Sequence, residues 1–316
     1  MHHIIAVVPV YNEQANVQEL VGRLGTSLGQ VSEDYGIILV DDGSIDQTWV
    51  EIVKASEEQP RLQGLRLSRN FGQHKAISAG LDMAQANWVI VMDGDLQDRP
   101  EVIPDLYAKA AEGNDVVFVA REDRPETRAY QLGQSVFYKT LRLLTGTDYN
   151  PAHGNFSIIS NKVLARYKEI SEGDRFYGGL VEWIGFPRAT LSAQHGTRFA
   201  GDTSYNFFQR LRFAKNIILS FSIRPLYAAL AFGAIVTVFS FCFGIVVLFR
   251  ALFFGYSVEG WPSIMVSIYF IGGVQMLMIG MNGLYIGRVS EEVKRRPLYI
   301  VSETTGKNSE YPGEAQ

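Results

Sequence analysis

Asp93-Gly94-Asp95 closes an apolar run, Val89-Ile90-Val91-Met92. Two carboxylates two residues apart after a strand can present hard oxygens together at one sheet edge. That is the ligand type Mg²⁺ or Mn²⁺ prefers, commonly with one or two carboxylates while phosphate oxygens and water complete the shell. A diphosphate leaving group accumulates negative charge, and a cation held there would stabilise it. A bare Asp-x-Asp also occurs as a solvated turn, so its placement after a strand carries the weight.

Two further strand ends carry polar chemistry. Asp41-Asp42-Gly43-Ser44 follows Ile37–Val40, and Pro9-Val10-Tyr11-Asn12-Glu13 follows Ile4–Val8. The first could be a simple helix cap, with Ser44 or Asp46 satisfying free amides. It could equally place an aspartate against a base or ribose, with Tyr11 packing near the base. Three such clusters at successive strand ends point to one ligand lying across them.

These residues need a sheet to position them. The apolar runs Ile4–Val8, Ile37–Val40, Leu62–Leu67, Trp88–Met92 and Val116–Val119 read as strands. Between them Gln14–Leu28, Asp46–Ser56, Lys75–Gln85 and Glu101–Ala111 have helical length and spacing. Alternating β and α units predict a parallel sheet covered on both faces, whose ligands bind outside the carboxyl ends of the strands. Met1-His2-His3 runs straight into the first strand, too short an opening for a secretion signal. Residues 121–200 are less regular, with a helix predicted near Thr127–Leu144. The formal charge of −4 argues against nucleic acid as a partner, and the single cysteine, Cys242, rules out an intramolecular disulfide.

The C-terminal third differs in character. Leu226–Phe249 and Ile264–Gly287 contain no charged residue. As helices each would extend about 36 Å, enough to cross a bilayer core. Phe207, Leu211, Ala214, Ile218 and Phe221 recur at helical spacing opposite Arg210, Arg212 and Lys215, which predicts an amphipathic helix in the membrane interface. The loop between the spans offers only Arg250, whereas Arg224 precedes the first and Arg288, Lys294, Arg295 and Arg296 follow the second. The positive-inside rule then places the N-terminal domain and both chain ends in the cytoplasm of a multi-pass inner (plasma) membrane protein. Gly283 and Gly287 form a GxxxG that leaves homo-oligomerisation open.

The stretches "VVPVYNE", "VDDGSIDQT", "LSRNFGQHKAISAGLDMA" and "VIVMDGDLQDRPE" resemble family 2 glycosyltransferases of the GT-A fold. "RFAGDTSYNF" and "YIGRVSEEVKRRPLYIV" are similar to the polyisoprenyl-phosphate branch, which includes dolichol-phosphate mannose synthase and bacterial undecaprenyl-phosphate glycosyltransferases. The resemblance implies a Rossmann-like, mostly parallel α/β domain over residues 1–204. It adds an interfacial helix over 205–224, a transmembrane hairpin over 225–287 and a basic tail over 288–316. It implies a metal-dependent, inverting transfer of one sugar from a nucleotide-diphosphate sugar to a polyprenyl phosphate in the lipid bilayer. Pro9, Tyr11, Glu13, Asp41, Asp42 and Gln97 would line the nucleotide-sugar site. Asp93 and Asp95 would hold Mg²⁺ or Mn²⁺, and Arg121 and Arg128 would meet the lipid phosphate.

One departure stands out. Many members resembling this chain carry Asp and Arg where it has Asn155 and Ser157. An asparagine cannot serve as a base, but a phosphate monoester is largely dianionic at neutral pH and needs little deprotonation. Asn155 is therefore expected to orient donor or acceptor. The rivals are another lipid or lipid-linked acceptor, and a catalytically silent nucleotide-sugar binder.

Overall fold

A computed structural model describes residues 1–121, 153–172, 175–193, 260–294 and 296–306, with isolated helical residues between 231 and 253. The chain divides into two compact units, one of residues 1–133, 148–204 and 296–316, the other of 134–147 and 205–295.

The first unit is built on an eight-stranded sheet of order β7-β5-β6-β4-β1-β2-β3-β8. Its strands are β1 (His2–Val10), β2 (Tyr35–Asp41), β3 (Leu62–Leu67), β4 (Ala86–Val91), β5 (Val116–Arg121), β6 (His153–Ser160), β7 (Arg188–Ala193) and β8 (Val301–Thr305). β1 lies between β2 and β4 and is parallel to both, with Val7 opposite Ile38 and Val91. Such a strand has both faces covered, which is why it reads as an unbroken apolar run rather than an alternating one.

One face is covered by α1 (Val17–Val31), α2 (Thr48–Glu58) and α4 (Ile103–Ala111), whose Leu20, Leu24, Ile52 and Leu106 share a buried cluster with Ile4, Val8, Leu39 and Ile90. On the other lie α3 (Gln73–Met83), α5 (Asn161–Glu169) and α6 (Tyr177–Ile184). There Ser78 and Tyr167 share a buried hydrogen bond of 3.0 Å, and desolvation raises the Tyr167 phenol to about 12. The five predicted strands and four predicted helices are all present, with shifted ends. α1 and α2 begin later than predicted because the preceding polar residues tie two loops together instead of joining the helices: the backbone N–H of Gln47 donates to Gln14 Oε1, and that of Thr48 to Asp46 Oδ1.

The sheet is mostly parallel as expected, with two departures from a uniform direction. β6 runs antiparallel to both β4 and β5, and β8 runs antiparallel to β3. The sheet is thus mixed, with the adjacent strands β4, β1, β2 and β3 parallel. The second departure concerns residues read as a basic tail: 301–305 form the edge strand β8. Glu303 explains its attachment, accepting from Trp49 Nε1 at 3.1 Å and Arg66 Nη1 at 2.7 Å, while Ser56 Oγ meets Thr305 Oγ1 at 2.7 Å. Just before β8, Ser68 N donates to Ile300 O and the Tyr299 hydroxyl donates to Asp82. The returning chain also covers an otherwise open sheet edge.

In the second unit the main described element is α7 (Trp261–Val293), a 33-residue helix. Within it Phe270–Gly287 has mean hydropathy 1.3 and none of that window is buried. Among the described residues it is the one helix long and apolar enough to cross a membrane. A Cβ added at Gly233 would lie 3.0 Å from Met278 Sδ, so part of the earlier hydrophobic stretch packs against α7. Nothing described approaches Gly283 or Gly287. Of the first predicted span only isolated helical residues are described, and the interfacial helix and the predicted helix at 127–144 lie outside the described residues.

Glu303→Ala is expected to cost about 1 kcal/mol, because it strips a half-exposed ion pair and leaves the Trp49 N–H without its acceptor. The check is thermal unfolding of the purified protein, with a fall of roughly 2–4 °C expected for a unit of this size.

Candidate active site

The carboxyl ends of the parallel strands gather the predicted residues at one edge. β6 adds to them because it runs the other way: its first residues, His153 to Asn155, arrive beside the end of β4. Asn155 Nδ2 donates to Asp93 Oδ1 at 3.1 Å. A second amide reaches the same oxygen from the first residue of α3, Gln73 Nε2 at 2.6 Å.

After β4 the chain alternates in burial. Asp93, Asp95 and Gln97 are half-exposed, while Gly94, Leu96 and Asp98 are buried. Gly94 is required by close approach, since an added Cβ would lie 2.5 Å from Val10 Cγ1 and 2.9 Å from Pro9 O. Leu96 adopts φ of 60°, a left-handed conformation costly for a branched side chain and typical of functional turns. Asp98 Oδ2 accepts the Asp93 N–H at 3.1 Å, and Asp95 Oδ1 accepts the Gln97 N–H at 3.1 Å. The turn therefore fixes its own backbone and presents Asp93 and Asp95 outward.

These two carboxylates fit a divalent cation. They are hard oxygen donors two residues apart on a constrained turn, and no described group of three or more acidic, histidine or cysteine side chains surrounds them. The remaining coordination would fall to phosphate oxygens and water, as is usual for Mg²⁺.

Asp41 and Asp42 also hold the loops at this edge. Asp42 Oδ1 accepts from Phe71 N at 2.8 Å and its Oδ2 from Gly72 N at 2.9 Å. Both oxygens clamp the loop after β3. Gly43, with φ of 70°, lets that loop pass, since an added Cβ would fall 2.3 Å from the Arg69 carbonyl carbon. Asp41 is fully buried, accepts from Ser44 N at 2.9 Å and faces Arg66 Nε at 3.5 Å. Burial raises both carboxyls above the ordinary aspartate range, against the pull of their amide donors and nearby arginines.

Pro9 is buried at the end of β1, beside Val40, and Tyr11 is 43% exposed just beyond it. Glu13 accepts from Asn16 Nδ2, and its backbone N–H donates to Thr48 Oγ1 at 2.8 Å. Asn12, at φ of 55°, bridges to the second loop: its N–H donates to Ser44 Oγ, and its Oδ1 accepts from Ile45 N. Arg121 ends β5 at this same edge; Arg128 lies outside the described residues. Sequence reasoning missed Gln73, Asn12 and Asp98. For Gln73 a signal existed, since it follows the carboxyl end of β3, as the chosen acidic residues follow other strands.

The Glycosyl transferase family 2 model matches residues 5–168. The chain belongs to glycosyl transferase family 2. An uncharacterised glycosyltransferase of Synechocystis is 38% identical over 301 residues, covering 95% of each chain. A bactoprenol glucosyl transferase of Shigella phage SfV is 34% identical, covering 96% of this chain and 99% of its own. A prophage bactoprenol glucosyl transferase homologue of Escherichia coli K12 is also 34% identical, covering 94% and 98%. The similarity thus extends well beyond the family domain, through the hydrophobic C-terminal third of this family 2 glycosyltransferase.

The raised Asp41 carboxyl has a consequence for stability. The folded protein keeps this proton to higher pH than the unfolded chain, so between the two values the native state holds more protons. Stability from this group therefore falls as pH rises through that window and stays lower above it. Asp41→Asn, a neutral isostere, is expected to flatten that fall. Melting temperatures from about pH 4 to about pH 7 check this; parallel curves for the two proteins would contradict it.

Proposed function

We propose that this family 2 glycosyltransferase moves one sugar from a nucleoside-diphosphate donor to a polyprenyl phosphate at the cytoplasmic face of a membrane. The observation that carries the reading is the pair Asp93 and Asp95, held outward at the carboxyl edge of the sheet in a chain whose near full-length relatives include bactoprenol glucosyl transferases.

The apolar helix α7 and the near full-length similarity to bactoprenol glucosyl transferases support a membrane-borne acceptor. β7 runs parallel to β5 and ends at the carboxyl edge, while β8 begins there, with Val301 beside Leu67. Since β7 and β8 belong to one sheet, the chain between them would cross a bilayer an even number of times. A hairpin of the two apolar stretches satisfies that, and the basic residues flanking them favour a cytoplasmic catalytic unit.

Asp93 and Asp95 would hold Mg²⁺ or Mn²⁺, which when bound would neutralise charge on the departing diphosphate. Tyr11 and the loops around Glu13 and Ser44 would receive the nucleotide. Arg121, at the end of β5, would attract the acceptor phosphate, with Arg128 as a second contact. A phosphate oxygen of the lipid attacks the anomeric carbon as the bond from that carbon to the diphosphate oxygen breaks. The products are the polyprenyl-phosphate sugar and the nucleoside diphosphate, with the anomeric centre inverted. Asn155 takes no proton in this scheme, and a dianionic phosphate supplies none that must be removed. A hydroxyl acceptor would require a base that Asn155 cannot be.

The test incubates detergent-purified protein with undecaprenyl phosphate, a panel of nucleotide sugars and Mg²⁺ or Mn²⁺, and weighs the lipid by mass spectrometry. A gain of one sugar is expected, lost with EDTA and reduced at least about 100-fold by Asp95→Asn. Transfer unaffected by EDTA, or donor binding without any lipid shift, would refute the proposal.

A further inference from the structure

The Asp93 side chain is gripped by two neutral donors from separate elements. Gln73 Nε2 approaches from the first turn of α3 at 2.6 Å, and Asn155 Nδ2 from the arriving end of β6 at 3.1 Å. Both meet the same oxygen, Oδ1. Only the NH₂ end of an amide can face a carboxylate oxygen, so the direction of each bond is set. The backbone is fixed as well, through the Asp93 N–H to Asp98 Oδ2 at 3.1 Å. Asp93 is therefore held at both main chain and side chain before any ligand arrives.

The chemical class of these donors matters. A lysine or arginine would orient the carboxylate but oppose a cation bound beside it. A carboxylate in either place would repel Asp93 unless a proton or metal bridged the two. A side-chain amide orients the oxygen without adding a charge of its own. Partners of this kind set the direction and basicity of metal ligands elsewhere, and their loss weakens metal binding.

We propose that Gln73 and Asn155 form a neutral amide pair that positions Asp93 for a divalent cation, and that Asn155 serves the reaction through Asp93 rather than as a base. This rests on the reading of Asp93 as a cation ligand. Both are positioning residues in this account.

The experiment titrates full-length purified protein with Mn²⁺ alone, following free Mn²⁺ by electron paramagnetic resonance, and measures the Mn²⁺ requirement of sugar transfer in parallel. Gln73→Met keeps the side-chain length at an exposed site and removes the donor; Asn155→Ala removes the other. Each is expected to weaken Mn²⁺ binding by about 10-fold, with saturating Mn²⁺ recovering most of the turnover. A merely structural role would lower turnover at every Mn²⁺ concentration and leave the affinity alone. Thermal melting of each variant separates unfolding from lost affinity, and the exposed Gln73→Met keeps the test decisive if Asn155→Ala unfolds. Wild-type affinity in folded Gln73→Met overturns the inference, as does wild-type protein that binds no Mn²⁺. Tighter Mn²⁺ binding by wild type than by the variants, with no sugar transferred to polyprenyl phosphate, would sustain the amide pair and remove the acceptor reading.

Discussion

Three buried aspartates organise the carboxyl edge by accepting backbone N–H groups. Asp42 holds Phe71 and Gly72, Asp41 holds Ser44, and Asp98 holds Asp93. Loops at the end of a parallel sheet have many unpaired amides, and a carboxylate can accept from them more strongly than a neutral group. The cost is desolvation, visible in the raised carboxyls of Asp41 and Asp42. The acidic residues therefore divide. Buried ones fix the loops, while Asp93 and Asp95 stay half-exposed. Left-handed Asn12 and Leu96 are tolerated in this setting because these bonds hold the surrounding loops in place.

The second constraint is direction. The adjacent strands β4, β1, β2 and β3 run one way and deliver their ends to one edge, while β6 runs the other way and brings Asn155 to Asp93. β8 begins at the same carboxyl edge, with Val301 opposite Leu67, and runs along β3 antiparallel. Arg66 lies between Glu303 of β8 and buried Asp41, so the returning strand is tied to the loop system of the site by charge as well as by pairing.

The parts legible in the sequence were those that physics writes locally. β1, β2 and β4 are covered on both faces, so their apolar runs stand out, and Asp93-Gly94-Asp95 could be placed by its position after one of them. β8 was illegible because Val301–Thr305 is a polar edge strand whose pairing depends on residues more than two hundred positions away. β6 was hard to find because its apolar core, Phe156 to Ile159, is short and broken by a serine. The loop-holding bonds of Asp41 and Asp42 were illegible for a different reason. Sequence shows an acidic residue at a strand end but not whether a backbone amide already occupies its oxygens. Gln73 and Asn155 meet only in three dimensions, on a carboxylate 20 residues from one and 62 from the other.

The central claim is that a lipid acceptor comes to the carboxyl edge of this sheet. A photo-crosslinking amino acid at Asn70, exposed in the loop clamped by Asp42, would stand at that edge; one at Gln85, exposed just before β4, would stand at the opposite edge. With the protein in bilayers containing polyprenyl phosphate, the account predicts lipid crosslinks from position 70 and none from position 85. Crosslinks from position 85 alone, or equally from both, would contradict it.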